Sequence, residues 1–152
     1  MLPSLSPAAR CLNALLRYEL AAVRCHRFAA AVLPADRETL TAVRRLHELA
    51  AATLRQRVVL LGQPPSDGPG LWDALPALVE ASTALSARWA VLRVLRGAER
   101  HGIETYESAC RIPALPAEIR VAIESTLLPL MHGNVRTLEQ LDARPTRAAR
   151  LA

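Results

Sequence analysis

The chain contains no lysine: all 19 of its basic residues are arginine. A complete absence of one basic residue type reads as a coding preference for arginine rather than selection for a guanidinium at every site. The net charge of +5 and the pI near 10.0 are therefore discounted as a sign of nucleic-acid binding. The arginines are also dispersed. Their tightest groups are Arg44–Arg45, Arg55 with Arg57, Arg93 with Arg96 and Arg100, and Arg144, Arg147 and Arg150. This is the pattern of solvated helix faces rather than of a patch that tracks phosphates. Aromatic residues are scarce, limited to Tyr18, Phe28, Trp72, Trp89 and Tyr106, and with few β-branched residues beside them a β-sandwich is excluded. Cys11, Cys25 and Cys110 form no CxxC pair and leave an odd count, which excludes a disulfide framework and predicts a reducing, cytoplasmic setting. No stretch approaches 18 uncharged apolar residues, and the first ten residues lack a basic n-region and an apolar h-region, so a soluble protein with no membrane partner is expected. A glycine-rich phosphate loop and a nucleophile–base constellation are missing as well, because the serines cluster at expected helix caps and Cys25 and His26 point about 100° apart on a helix.

What the chain has is 28 alanines and 26 leucines, more than a third of its 152 residues from two strong helix formers. An all-α fold follows, and the length predicts one domain spanning residues 1–152, with a core over about 7–141 and a frayed tail over 142–152. Ser6–Pro7 is a helix start, Ser as N-cap and Pro at the first helical position, and the pattern runs unbroken to Leu33–Pro34. Its inward stripe is Leu12, Leu16, Glu19, Val23, His26, Ala30 and Leu33. Asp36 can cap a second helix that ends at Leu61–Gly62, with the stripe Leu40, Val43, His47, Ala50, Leu54, Val58 and Leu61. The segment Gln63 to Gly70 is rich in turn signals and begins a crossover. Leu71 to Val79 reads as a short helix or irregular stretch held by Trp72, after which Ser82 or Ser86 caps a third long helix with the stripe Leu85, Trp89, Leu92, Glu99, Ile103, Tyr106 and Cys110. Pro116 opens a fourth helix through Ile119, Ile123, Leu127, Leu130, Val135, Leu138 and Leu141, and Pro129 should kink it beside His132. Two hairpins joined by a crossover make a four-helix bundle in up-down-down-up order.

Four ionisable residues fall near mid-height. Glu19 lies 15 residues before the turn near residue 34 and His47 13 after it; Glu99 lies 14 before the turn near 113 and His132 19 after it. At about 1.5 Å per residue the first three share a depth and His132 is roughly one turn further on. Buried carboxylates and imidazoles must be paired, protonated or bound to a metal, and two Glu with two His can coordinate a transition metal. His26 reads as a partner of that set or a residue at the end of the bundle, Tyr106 as a packing residue with an internal partner for its hydroxyl, and Glu48, His101 and Glu104 as flanking or exposed.

The helix lengths, the Leu61-Gly62-Gln63-Pro64 exit, Gly97-Ala98-Glu99, Tyr106-Glu107-Ser108-Ala109, and Pro116-Ala117-Glu118-Ile119 followed by His132 resemble the ferritin-like superfamily over about residues 10–141. Within it they resemble a group of short bacterial proteins catalogued as a domain of unknown function. In metal-binding members, one Glu on the first and third helices and a Glu-x-x-His on the second and fourth hold two metals. Glu19 matches the first-helix Glu, Glu99 the third-helix Glu and His132 the fourth-helix His. The chain departs from that pattern at Pro129, where the bridging Glu would stand, and on the second helix, where Ala51, Ala52 and Arg55 occupy the expected depth. The resemblance therefore implies a degenerate di-metal site in a non-catalytic binding or stress-associated module, expected to be a homodimer, in which what remains is either a mononuclear site of Glu19, His47, Glu99 and His132 or an ion pair with Arg55 in place of the metal. An iron-binding bundle with oxidase or sequestration activity through Glu19, His47, Glu99 and His132 is the alternative, and a DNA-associated basic bundle, resting on net charge alone, is a third.

Overall fold

The computed structural model describes residues 5–83 and 88–144. Every regular element among them is helical: α1 (Pro7–Val32), α2 (Arg37–Leu60), α3 (Ala74–Thr83), α4 (Arg88–Cys110), α5 (Ala117–Ala122) and α6 (Leu128–Ala143). None is long and apolar enough to cross a membrane.

α1 begins as the sequence predicts, with the Ser6 hydroxyl accepting from the Ala9 amide and Pro7 in the first turn. It is buried over much more than one stripe because α2, α3 and α4 all pack on it. A turn at Leu33–Asp36 reverses the chain into α2. Asp36 does not cap that helix through its side chain. Its carboxylate instead receives Arg88 Nε and Nη2 from the start of α4 at 2.5 and 3.0 Å. At the other end of α2, Gly62 takes the left-handed conformation (φ 69°) that ends the helix.

The proline-rich segment after Gly62 is strapped back onto the first two helices. Asn13 donates to the Pro64 carbonyl and accepts from the Ser66 amide, while Arg55 bonds the Ser66 carbonyl and Asp67. Gly70–Asp73 forms a short 3₁₀ turn leading into α3. Ser82 lies within α3, whereas Ser86 and Leu85 fall outside the described residues. Trp89, expected inside, is 58% exposed.

Helix directions follow from pairs of contacts. His47–Glu99 and Asp36–Arg88 both span 52 residues, so α2 and α4 run parallel in register. Arg96–Asp142 and Arg100–Glu139 pair in the opposite sense, so α4 and α6 are antiparallel. Asp142 thus belongs to α6 rather than to a frayed tail, and residues 145–152 lie outside the described residues.

α5 and α6 are joined by a wide π turn, Ile123–Leu127, with Pro129 in the first turn of α6. The π turn accommodates a proline that has no amide to donate. It also carries the inward face forward: the buried residues are Ile119, Ile123, Leu127, Met131, Asn134, Leu138 and Leu141, so Met131 and Asn134 replace the expected Leu130 and Val135.

Among the described residues the apolar core has two parts. One gathers Leu12, Leu16, Leu54, Val58, Tyr106 and Ile123; the other gathers Cys25, Ala29, Leu40, Leu92, Leu95 and Leu138. Between them lies a layer of buried polar side chains.

A buried histidine–carboxylate centre

Glu19, His26, His47, Glu99 and Asn134 are each 2% exposed or less. α1 supplies Glu19 and His26 seven residues apart, two turns along one face; α2 supplies His47, α4 Glu99 and α6 Asn134. His47 is the hub. Its Nδ1 donates to Glu19 Oε2 at 2.6 Å and its Nε2 donates to Glu99 Oε1 at 2.8 Å, so a single ring bridges carboxylates of two other helices. With both ring nitrogens donating, His47 is an imidazolium. Burial alone would lower its pKa, but Glu99 and Glu19 outweigh burial and raise it to about 10. Glu99 in turn, although burial pushes its carboxyl up, is held below the usual range by His47.

Two phenols complete the carboxylate shells. Tyr106 donates to Glu19 Oε1 at 2.5 Å, the internal partner expected for its hydroxyl, and Tyr18 lies 3.5 Å from Glu99 Oε2. Burial and the neighbouring carboxylates push both phenols well above their ordinary values, so they stay protonated donors. Tyr18 reaches Glu99 because α4 carries Gly102 there: a Cβ at that position would stand 2.2 Å from the Tyr18 ring. Trp72 closes this side, edge-on to Tyr18 at 5.3 Å and beside His101 at 5.1 Å.

His26 differs from the rest. Its Nδ1 lies 3.0 Å from the Ala22 carbonyl, which fixes the proton on Nδ1. Its Nε2 points at Glu99 Oε1 from 3.6 Å, acceptor facing acceptor, and has no hydrogen-bond partner. Burial lowers its pKa to about 4, the nearby Glu99 notwithstanding, so His26 is neutral.

Of the four residues expected at the centre, Glu19, His47 and Glu99 meet there and His132 does not. It is exposed on α6, and Asn134 takes the inward place, its amide 3.3 Å from His47 Nε2 and near enough to Glu99 to help hold that carboxyl low. Arg55 is likewise absent from the centre, engaged at the surface with Asp67; His47 supplies the positive charge instead. Tyr18 and Asn134 went unread in the sequence. Asn134 carries a signal nonetheless, since Asn is a poor choice in a helix interior unless its amide is used.

Two metal ions would not be matched by this set. Only Glu19 and Glu99 are carboxylates here, the buried residues that follow His47 on α2 are the apolar Ala50, Ala51 and Leu54, and His132 is exposed. The chain matches no protein-family model, no curated protein and no solved structure.

Proposed function

We propose that this chain is a ferritin-like four-helix bundle that has lost dinuclear metal chemistry and acts as a non-catalytic binding or stress-associated module, as a cytoplasmic homodimer. The single observation that carries this reading is His47, whose ring occupies the space between Glu19 and Glu99 and neutralises charge that two metals would otherwise meet. The parallel α2 and α4 between antiparallel partners support the bundle, with α3 as an addition within the crossover. A nucleic-acid role finds less support, because Arg24, Arg44, Arg55, Arg88, Arg96 and Arg100 are each paired with a carboxylate.

The test is aerobic iron loading. Ferrous iron should oxidise in the presence of the protein no faster than in buffer, and no two-iron complex should survive desalting. Light scattering should give twice the 16.5 kDa chain mass. Rapid oxidation with two irons retained per chain, lost in Glu19→Ala and Glu99→Ala, would sink the reading.

A further inference from the structure

The geometry points to a site for one late first-row divalent ion, held by His26 Nε2, His47 Nε2 and Glu99 Oε1, with Glu19 as the carboxylate that orients His47. This inference rests on the proposal that the dinuclear centre is lost. One ligating atom from each of the three residues lies within 4.8 Å of the other two, and all three residues are buried. Donors around a tetrahedral ion bonded at about 2.0–2.2 Å are separated by roughly 3.3–3.6 Å. The Glu99–His26 distance of 3.6 Å is already close to that and the Glu99–His47 distance of 2.8 Å needs only a small opening.

The orientation of the two rings is the stronger argument. Each histidine uses Nδ1 elsewhere, His47 on the Glu19 carboxylate and His26 on the Ala22 carbonyl, and each aims Nε2 at the same Glu99 oxygen. A histidine that ligates a metal through one nitrogen is commonly fixed by a carboxylate or carbonyl on the other. In a hydrogen-bonded core the lone pair on His26 Nε2 serves nothing, and a buried unpartnered nitrogen is costly. An ion between the rings satisfies it. The ion takes the place of the proton that His47 Nε2 donates to Glu99, and that proton leaves to solvent. Two imidazoles and one carboxylate select a zinc- or iron-like ion over magnesium or calcium.

The surface comes nearest to this centre between α2 and α6, at Asn134. A groove of about 450 Å³, walled by Val43, Leu46, Pro129 and Leu130, reaches Asn134, whose amide adjoins His47 Nε2.

The test is titration of the chelator-treated, desalted protein with Co²⁺, followed by its visible d–d bands and by displacement with Zn²⁺. One equivalent should bind with an intense tetrahedral-type spectrum. His26→Leu, which leaves the Glu19–His47–Glu99 bridge in place, should abolish the spectrum while circular dichroism stays helical; His26→Gln serves if the leucine variant does not fold. Glu19→Gln should keep the spectrum but weaken binding roughly 10–100-fold. The proposal is overturned if the folded parent takes up no Co²⁺, or if the His26 variants bind as the parent does. Two equivalents with rapid ferrous oxidation would overturn both this site and the loss of dinuclear chemistry, whereas a chain that binds no metal leaves the loss intact and removes only the site.

Discussion

His47 joins three helices through one ring, and the cost of removing it follows from what it leaves behind. His47→Gln turns a bridged pair of buried carboxylates into two poorly matched groups at the centre of the molecule. Breaking such a buried pair from one side costs about 3–5 kcal/mol, a large part of the stability of a domain this size. Urea denaturation should show a loss of that order for His47→Gln. Tyr106→Phe removes a single hydroxyl-to-carboxylate bond and should cost roughly 1.5–3 kcal/mol; an equal loss for the two would contradict His47 as the hub. Gly102 makes a separate prediction, because the Tyr18 ring stands where its Cβ would be. Gly102→Ala should destabilise the parent by about 1–3 kcal/mol through overpacking and much less when Tyr18 is replaced by Leu, so a double-mutant cycle should return a clear coupling.

Among the elements, the clamp between helix starts is the most exposed to a simple test. Arg88 holds Asp36 with two hydrogen bonds and reaches the Leu141 carbonyl as well, tying the beginnings of α2 and α4 to the end of α6. Arg88→Met keeps the aliphatic stem and loses the clamp, with an expected cost of about 2 kcal/mol and no change in the near-ultraviolet signal of Tyr18 and Tyr106; a melting temperature equal to that of the parent would refute it. The sequence made the long helices legible because Ser6, Pro7 and Gly62 act locally and because a 3.6-residue stripe needs only the helix itself. It placed Glu19, His47 and Glu99 at one depth by counting from the turns. It misplaced what depends on rotation rather than depth. The π turn at Ile123–Leu127 shifts the inward face of α6, bringing Asn134 in and leaving His132 exposed, and no period assuming a regular α-helix can register that change. Asp36 departs from expectation for another reason, since its partner Arg88 lies 52 residues on, where a local capping rule does not reach, while Arg55, drawn to the centre only by the resemblance, pairs with Asp67 in the segment after α2.

For the whole molecule, the polar layer between two apolar clusters makes stability a function of pH, and the sign can be worked out. In chelator-treated protein, His47 has a folded pKa of about 10 against an unfolded value near 6.5. The folded state therefore holds a proton that the unfolded state releases, and the stability this confers is complete below pH 6.5 and lost as pH rises from there to 10. Above pH 10 the loss steepens, since Tyr18 and Tyr106 resist ionisation in the fold and ionise freely outside it. On the acid side the order reverses. His26, neutral in the fold down to about pH 4, takes up a proton on unfolding at any pH between 4 and 6.5, and Glu99, held low by His47, adds its own loss as pH falls below the ordinary carboxylate range. The maximum should lie close to pH 6.5, where the proton His47 loses on unfolding and the proton His26 gains offset each other. Denaturation midpoints measured across this range should fall on both sides. His26→Leu should flatten the limb between pH 4 and 6.5 while leaving the alkaline limb in place. A parent profile that is level from pH 7 to 9.5 would mean that His47 does not bridge the two carboxylates as a cation.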